Sequence, residues 1–168
     1  RYRHIGDMAT QPDLSGAVKM RVRGLVMDPN SNMPVVILEN AEGNAYLPIW
    51  IGVCEANSIA LVLEGVASPR PMTHDLIRSL IETAGCLVEH VYIHTLEDSV
   101  FKASIQLRDA TSATHQVDSR PSDAIAIALR AEADLLVDQS VLEQALLTEA
   151  SQDEAIRMML EKLRPEDL

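Results

Sequence analysis

The sequence predicts a single α+β domain, in which a mixed or antiparallel β-sheet is packed with helices and followed by a C-terminal helical appendage. Strand patterns occur in runs interrupted by pairs of helices, whereas strict alternation of strands and helices would indicate a doubly wound sheet. The 168 residues, 47% of them hydrophobic, can bury one sizeable core but are few for two independent domains. One domain with appendages is therefore expected.

The opening of the chain predicts three strands. We expect residues 1–19 to form a flexible N-terminal extension, because Gly6, Pro12 and Gly16 occur there without periodic apolar spacing. From residue 20 onward apolar side chains alternate with arginines, as in a half-buried strand. Turn residues then separate two further strands, at 35–38 and 45–50. The three segments predict a meander.

Two helices are predicted next. The first covers residues 53–64 and ends at Gly65, a residue typical of helix C-termini. The second begins near Pro71 and ends at Gly85. Its apolar residues recur at helical spacing, and we expect this stripe to pack on the sheet: Leu76, Ile77, Leu80, Ile81 and Ala84.

The remainder of the chain adds a hairpin, a buried helix and a tail. Alternation predicts paired strands at 87–94 and 100–108 and a short strand at 114–117. A helix over 121–133 is apolar on nearly all sides and is expected to be buried. Residues 135–137 are a candidate for one more strand, residues 141–147 look helical, and residues 155–163 predict a separate amphipathic helix. The predicted organisation is an extension (1–19), a domain (20–137) and an acidic helical tail (138–168).

The net charge and the hydropathy of the chain narrow the classes of function that are expected. The net charge of −11 opposes long-range attraction to a polyanion, although a bound divalent cation would reverse this locally. No apolar run approaches the roughly 18 to 20 residues that span a bilayer, and no export signal is recognisable. We therefore expect no membrane segment and a cytoplasmic location. Cys54 and Cys86 lie far apart without a CxxC spacing, so neither a disulfide nor a zinc site is predicted.

Two segments combine an Arg-Pro pair with polar residues at a predicted helix start. They are RPMTHDL at residues 70–76 and DSRPSDAIAIALR at residues 118–130. Proline and Ser, Thr or Asp in a first turn are explained by helix capping alone. Capping does not require an arginine before each proline. It also does not require five polar or charged residues among the six positions beside a buried helix.

These segments allow two interpretations. A helix start with free amides, hydroxyls and arginine can bind an anion or phosphate, and neighbouring carboxylates can hold Mg²⁺ or Mn²⁺. His74 could then serve as a general acid or base. Alternatively, Arg70 and Arg120 simply pair with nearby aspartates and lock the helices together. The residues alone leave both interpretations open.

A third segment adds a family resemblance. LPIWIGVCEANSIAL at residues 47–61, followed in order by the two Arg-Pro segments, is similar to the bifunctional nuclease family over residues 20–137. The resemblance implies an α+β domain, often oligomeric, with nuclease activity on RNA and DNA. Motif positions carried over from the family are Glu55, Thr73, His74, Asp75, Asp118, Ser119, Arg120, Ser122 and Asp123.

The resulting hypothesis is a metal-dependent nuclease that hydrolyses phosphodiester bonds of RNA and DNA. Four residues are assigned to catalysis: His74, Asp75, Asp118 and Asp123. Five are assigned to phosphate binding: Arg70, Thr73, Ser119, Arg120 and Ser122. The expected ligands of the Mg²⁺ or Mn²⁺ ion are Asp75, Asp118, Asp123 and Glu55, and no organic cofactor is expected. The alternative is a non-catalytic binding module in which the same cluster recognises an anionic ligand or a partner protein. A homo-oligomer is expected in either case.

Overall fold

The computed structural model describes residues 12–149 together with Met158 and Glu161. Within these residues the chain forms seven strands and four helices. The strands are β1 (Ala17–Met27), β2 (Pro34–Asn40), β3 (Tyr46–Trp50), β4 (Cys86–Glu97), β5 (Val100–Asp109), β6 (Thr114–Ser119) and β7 (Asp134–Asp138). The helices are α1 (Val53–Leu63), α2 (Thr73–Thr83), α3 (Pro121–Ala131) and α4 (Gln139–Glu149).

All seven strands belong to one mixed sheet in the order β3-β2-β1-β7-β4-β5-β6. The two local meanders, β1–β3 and β4–β6, are antiparallel throughout. Strand β7 lies between them, antiparallel to β1 and parallel to β4. The segment that the sequence offers only as a candidate strand is therefore the one that joins the halves of the sheet.

Helices α1, α3 and α4 share one hydrophobic core with the sheet. Helix α3 is the most deeply embedded, since its residues 124–128 are all at most 3% exposed. Successive side chains of a strand point to opposite faces. Ile105 and Val117 contact this core, so their neighbours Ser104 and Asp118 point to the opposite face of the sheet.

The α+β fold class, the first meander, the β4–β5 hairpin, the short strand β6 and the buried helix are confirmed. Strand β1 begins at Ala17, so residues 17–19 belong to the sheet and not to a flexible extension. The reason is non-local: residues 17–20 pair with residues 135–138 of β7. The C-terminal helix α4 is present, and its Val141, Leu142 and Ala145 are buried in the core. The helix predicted at 155–163 lies outside the described residues, apart from Met158 and Glu161.

Helix α2 differs from the prediction in its packing. Ile77 and Ile81 are half-buried, but Leu76 and Leu80 are 51% and 60% exposed. His74 is the buried residue of this helix. The prediction that the whole apolar stripe packs on the sheet is wrong, because α2 packs against α3 and β4 and these contacts leave Leu76 and Leu80 exposed. No helix in the described part of the chain is long and apolar enough to cross a membrane.

Candidate functional site

The first turns of three helices meet at a cluster of charged side chains. Arg120, the residue before α3, donates a hydrogen bond to Glu55 in the first turn of α1. His74, in the first turn of α2, contacts Asp123 in the first turn of α3. The two Arg-Pro helix starts, which lie far apart in the sequence, are therefore brought together. We call Glu55, His74, Arg120 and Asp123 the carboxylate cluster.

Within this cluster, His74 lies between a serine and an aspartate. Its Nδ1 is 2.8 Å from Ser58 Oγ, and its Nε2 is 2.9 Å from Asp123 Oδ1. A carboxylate can only accept hydrogen bonds, so Nε2 carries a proton and donates to Asp123. In the neutral ring, Nδ1 accepts from the Ser58 hydroxyl. Both ring nitrogens are engaged, and His74 is only 7% exposed.

Arg120 bridges the two carboxylates of the cluster. Its Nη2 donates to Glu55 Oε1 at 2.7 Å and its Nε donates to Asp123 Oδ2 at 2.8 Å. Burial alone would raise the pKa of Asp123, but hydrogen bonds from Arg120 and His74 outweigh burial and lower it. The same bonds, first to Asp123 and then to Glu55, raise the pKa of Arg120. Near neutral pH Asp123 is therefore a carboxylate and Arg120 a guanidinium.

Glu55 reaches the cluster because the residue before α1 is a glycine. The Glu55 carboxylate lies over Gly52, and a Cβ atom at position 52 would overlap its Oε2. Gly52 has ordinary extended backbone angles, so backbone conformation does not demand glycine there. The absence of a side chain at position 52 is what leaves room for the carboxylate.

Asp75 belongs to a neighbouring ion pair with Arg130. Arg130 Nε donates to Asp75 Oδ1 at 2.5 Å, and the two remaining nitrogens of Arg130 donate to the carbonyls of Ala126 and Ser58. The Arg130 hydrogen bond, followed by one from the Met72 amide, lowers the pKa of Asp75. The ion pair lies at one side of a cleft of about 310 Å³ between α1 and α2, whose walls include Leu61, Val66 and Pro71. Asp75 thus ties α2 to α3 beside the cluster.

Asp118 is not brought to the carboxylate cluster. It is exposed on β6 opposite Ser104, on the face of the sheet away from the helices. Its electrostatic neighbours are Lys102 and His94. The chain changes from strand to helix between Asp118 and Asp123, so these two nearby residues point to different sides of the sheet.

The predicted phosphate-binding residues have different environments. Arg70 is exposed and makes no ion pair with any described residue, and Thr73 is exposed at the first position of α2. The Ser119 hydroxyl donates to the backbone carbonyl of Arg120, whereas Ser122 is 7% exposed. Of the five predicted phosphate-binding residues, Arg120 is the one that belongs to the carboxylate cluster.

The ligand set available to a metal ion is smaller than predicted. Among the described residues, no group of three or more His, Cys, Asp or Glu side chains is arranged to hold an ion. Of the four predicted metal ligands, Glu55 and Asp123 share one guanidinium, Asp75 is paired with Arg130, and Asp118 lies across the sheet. The structure therefore offers a carboxylate pair and not a group of four.

Two residues of the site were absent from the sequence-based assignment. Ser58 follows Glu55 by three residues on α1, and Arg130 follows Asp123 by seven residues on α3. Both spacings place the later residue on the same side of its helix as the earlier one. Both residues also lie inside the quoted motifs. Helical spacing counted from Glu55 and Asp123 could have found them.

The comparisons with known proteins identify one family and two relatives. Residues 36–150 match the model of the bifunctional nuclease domain. Two proteins of Mycobacterium tuberculosis are each 42% identical to the chain over 139 residues, covering 82% of this chain and 82% of their own length. They are the uncharacterized protein MT1877 of strain CDC 1551 / Oshkosh and the uncharacterized protein Rv1829 of strain ATCC 25618 / H37Rv. The chain belongs to the bifunctional nuclease domain family.

Proposed function

We propose that this protein is a nuclease that hydrolyses phosphodiester bonds of RNA and DNA with the help of a divalent metal ion, Mg²⁺ or Mn²⁺. The observation that carries the proposal is the carboxylate cluster. Carboxylates from two helices face each other across one arginine, at the first turns of α1 and α3. Family membership supplies the class of substrate.

Glu55 and Asp123 fit a divalent metal ion of this kind. Mg²⁺ is commonly bound by one or two carboxylates, with water and substrate phosphate completing its coordination. The two carboxylates already contact a single cation, the Arg120 guanidinium, so they lie close enough to share a charge. When bound, such an ion would activate water and polarise the phosphate.

The other residues of the site have supporting roles in this proposal. Arg120 and Arg70 are available for the phosphate, because both are exposed and precede helix starts. His74 orients Asp123 and can hold a proton, since the Ser58 hydroxyl can donate to its Nδ1 or accept from it. Asp75 positions α2 against α3 through Arg130.

The test is cleavage of labelled single-stranded RNA and DNA by highly purified protein, with Mg²⁺, Mn²⁺ or EDTA. We expect metal-dependent cleavage that is lost in Asp123→Asn and Glu55→Gln. The matched control is Glu82→Gln, which alters a glutamate that is also paired with an arginine but lies outside the carboxylate cluster. Cleavage that survives in folded Asp123→Asn protein, or persists in EDTA, would contradict the proposal and would point to a contaminating nuclease.

A second candidate is a non-catalytic binding module that recognises an anionic ligand or a partner protein. One observation favours it: the carboxylate pair is already neutralised in part by Arg120. This function predicts saturable binding of an oligonucleotide or phosphate without product. The cleavage assay separates the two functions directly.

A homo-oligomer is part of the same proposal. Leu76, Leu80 and Leu87 are 51%, 60% and 67% exposed at the outer side of α2 and the start of β4. Exposed apolar patches of this kind are typical of protein interfaces. A cytoplasmic location is also proposed, and the free thiols of Cys54 and Cys86 are compatible with a reducing compartment.

A further inference from the structure

Arg120 occupies a position where a cation is unfavourable for the helix. It is the N-terminal cap residue of α3, and its side chain makes no capping hydrogen bond. Ser, Thr, Asp or Asn would satisfy a free amide there, and the helix dipole disfavours a positive charge at this end. A residue that breaks a local rule in this way needs a compensating role.

The contacts of Arg120 identify that role. Its guanidinium is hydrogen-bonded to both Glu55 and Asp123, the residues proposed above to hold a metal ion. Without it, two carboxylates would face each other with no cation between them. Arg120 therefore supplies the positive charge that a metal ion would otherwise supply.

The Arg120 guanidinium can also move away from the two carboxylates. The Arg120 side chain is 67% exposed, whereas the side chains of Glu55 and Asp123 are 15% and 27% exposed. Exposed ion pairs contribute little free energy because water competes for both charges. Asp123 keeps its hydrogen bond to His74, and Glu55 is largely buried, so the exposed arginine is the side chain with the most room to move.

We propose that Arg120 is an internal cation that holds Glu55 and Asp123 together until a divalent metal ion replaces it, and that the released guanidinium then binds the substrate phosphate. The inference rests on the proposed metal-dependent function. Charge balance supports it: two carboxylates, a divalent cation, one guanidinium and one phosphodiester sum to zero. Arginine is suited to both positions because its fork of donors fits carboxylates and phosphates alike.

The test is direct titration of the protein with Mn²⁺, following free Mn²⁺ by electron paramagnetic resonance in the absence of substrate. We expect Arg120→Gln to bind Mn²⁺ more tightly than the unmodified protein, on the order of tenfold, because two exposed ion pairs no longer compete with the metal. Arg120→Lys should lie between them, since an ammonium cannot bridge both carboxylates with the same geometry.

The matched control is Arg78→Gln, which removes another exposed, carboxylate-paired arginine from the surface. Its Mn²⁺ affinity should equal that of the unmodified protein. In a second titration, with metal present, a single-stranded oligonucleotide whose phosphodiesters resist cleavage should bind more weakly to Arg120→Gln. The variant would thus gain metal affinity and lose substrate affinity.

The possible results separate this inference from the proposed function. If Glu55→Gln abolishes Mn²⁺ binding but Arg120→Gln binds no more tightly than the unmodified protein, the metal site stands and the role of Arg120 is overturned. If Arg78→Gln tightens binding as much as Arg120→Gln, the effect is one of net charge and the role is again overturned. If Glu55→Gln leaves Mn²⁺ binding unchanged, the metal site itself is overturned and the inference with it.

Discussion

At the scale of single residues, Ser58 connects both polar networks of the site. Its hydroxyl contacts His74, and its backbone carbonyl accepts a hydrogen bond from Arg130. A buried polar group that loses its hydrogen-bond partner destabilises the folded state by its full desolvation free energy. Ser58 therefore supports the orientation of His74 and, through it, that of Asp123.

We expect Ser58→Ala to destabilise the fold by about 1 to 3 kcal/mol, because the buried Nδ1 of His74 would be left without a donor. The measurement is the free energy of unfolding in urea. Ser79→Ala is the control, since its hydroxyl is exposed and bonds a helix carbonyl. Equal, small effects of the two substitutions would show that the Ser58 contact contributes nothing.

At the scale of elements, the start of α1 depends on the missing side chain of Gly52. We expect Gly52→Ala to displace the Glu55 carboxylate and to weaken Mn²⁺ binding, with little change in stability because the backbone angles suit alanine. Mn²⁺ titration measures the affinity for the metal, and urea unfolding of the same sample measures the stability. Gly16→Ala, where an added Cβ meets no atom within 4 Å, is the control. Unchanged Mn²⁺ affinity would mean that Glu55 does not need this space.

The tie between α2 and α3 predicts a pH dependence. The pKa of Asp75 is lowered from 3.8 in the folded state, chiefly by Arg130. Its stabilising contribution is therefore present above pH 3.8 and is lost as the pH falls through the folded-state pKa.

Asp75→Asn removes this titrating group. We expect the free energy of unfolding to fall less steeply below pH 3.8 in the variant than in the unmodified protein, measured by urea unfolding across the acidic range. The variant should also be less stable at neutral pH, because Arg130 is left buried without its carboxylate. Parallel pH profiles would contradict this role for Asp75.

Local elements were predictable from the sequence, and their long-range partners were not. Alternation is a local signal, so it located the strands of both meanders, and the apolar sequence of α3 located the buried helix. The central place of β7 depends on pairing with β1 and β4, which no local pattern encodes. The apolar stripe of α2 predicted the helix correctly, but it could not predict how many of its apolar side chains would be buried.

The same limit applies to the candidate site. The motifs identified the residues that form the carboxylate cluster, because each motif marks a helix start. They could not show that His74 meets Asp123, 49 residues away in sequence. Asp118 was grouped with Asp123 by proximity in the chain, but the change from strand to helix separates their side chains.

At the scale of the whole molecule, the exposed leucines of α2 predict self-association. We expect Leu76→Asp with Leu80→Asp to shift the protein toward a monomer, because charges would replace the apolar centre of the interface. Light scattering after size-exclusion chromatography measures the mass. Val100→Asp, at an exposed apolar position on the β4–β5 hairpin, is the control. A protein that is monomeric before any substitution would contradict the interface.

The position of β7 also has a consequence for biosynthesis. The two meanders are hydrogen-bonded to each other only through this strand within the described sheet, and β7 is the last of the described strands along the chain. During translation both meanders leave the ribosome before β7 does. Until β7 is available, the edges of β1 and β4 remain unpaired. Unpaired edges of this kind invite association between chains. The nascent protein is thus exposed to aggregation until β7 has left the ribosome.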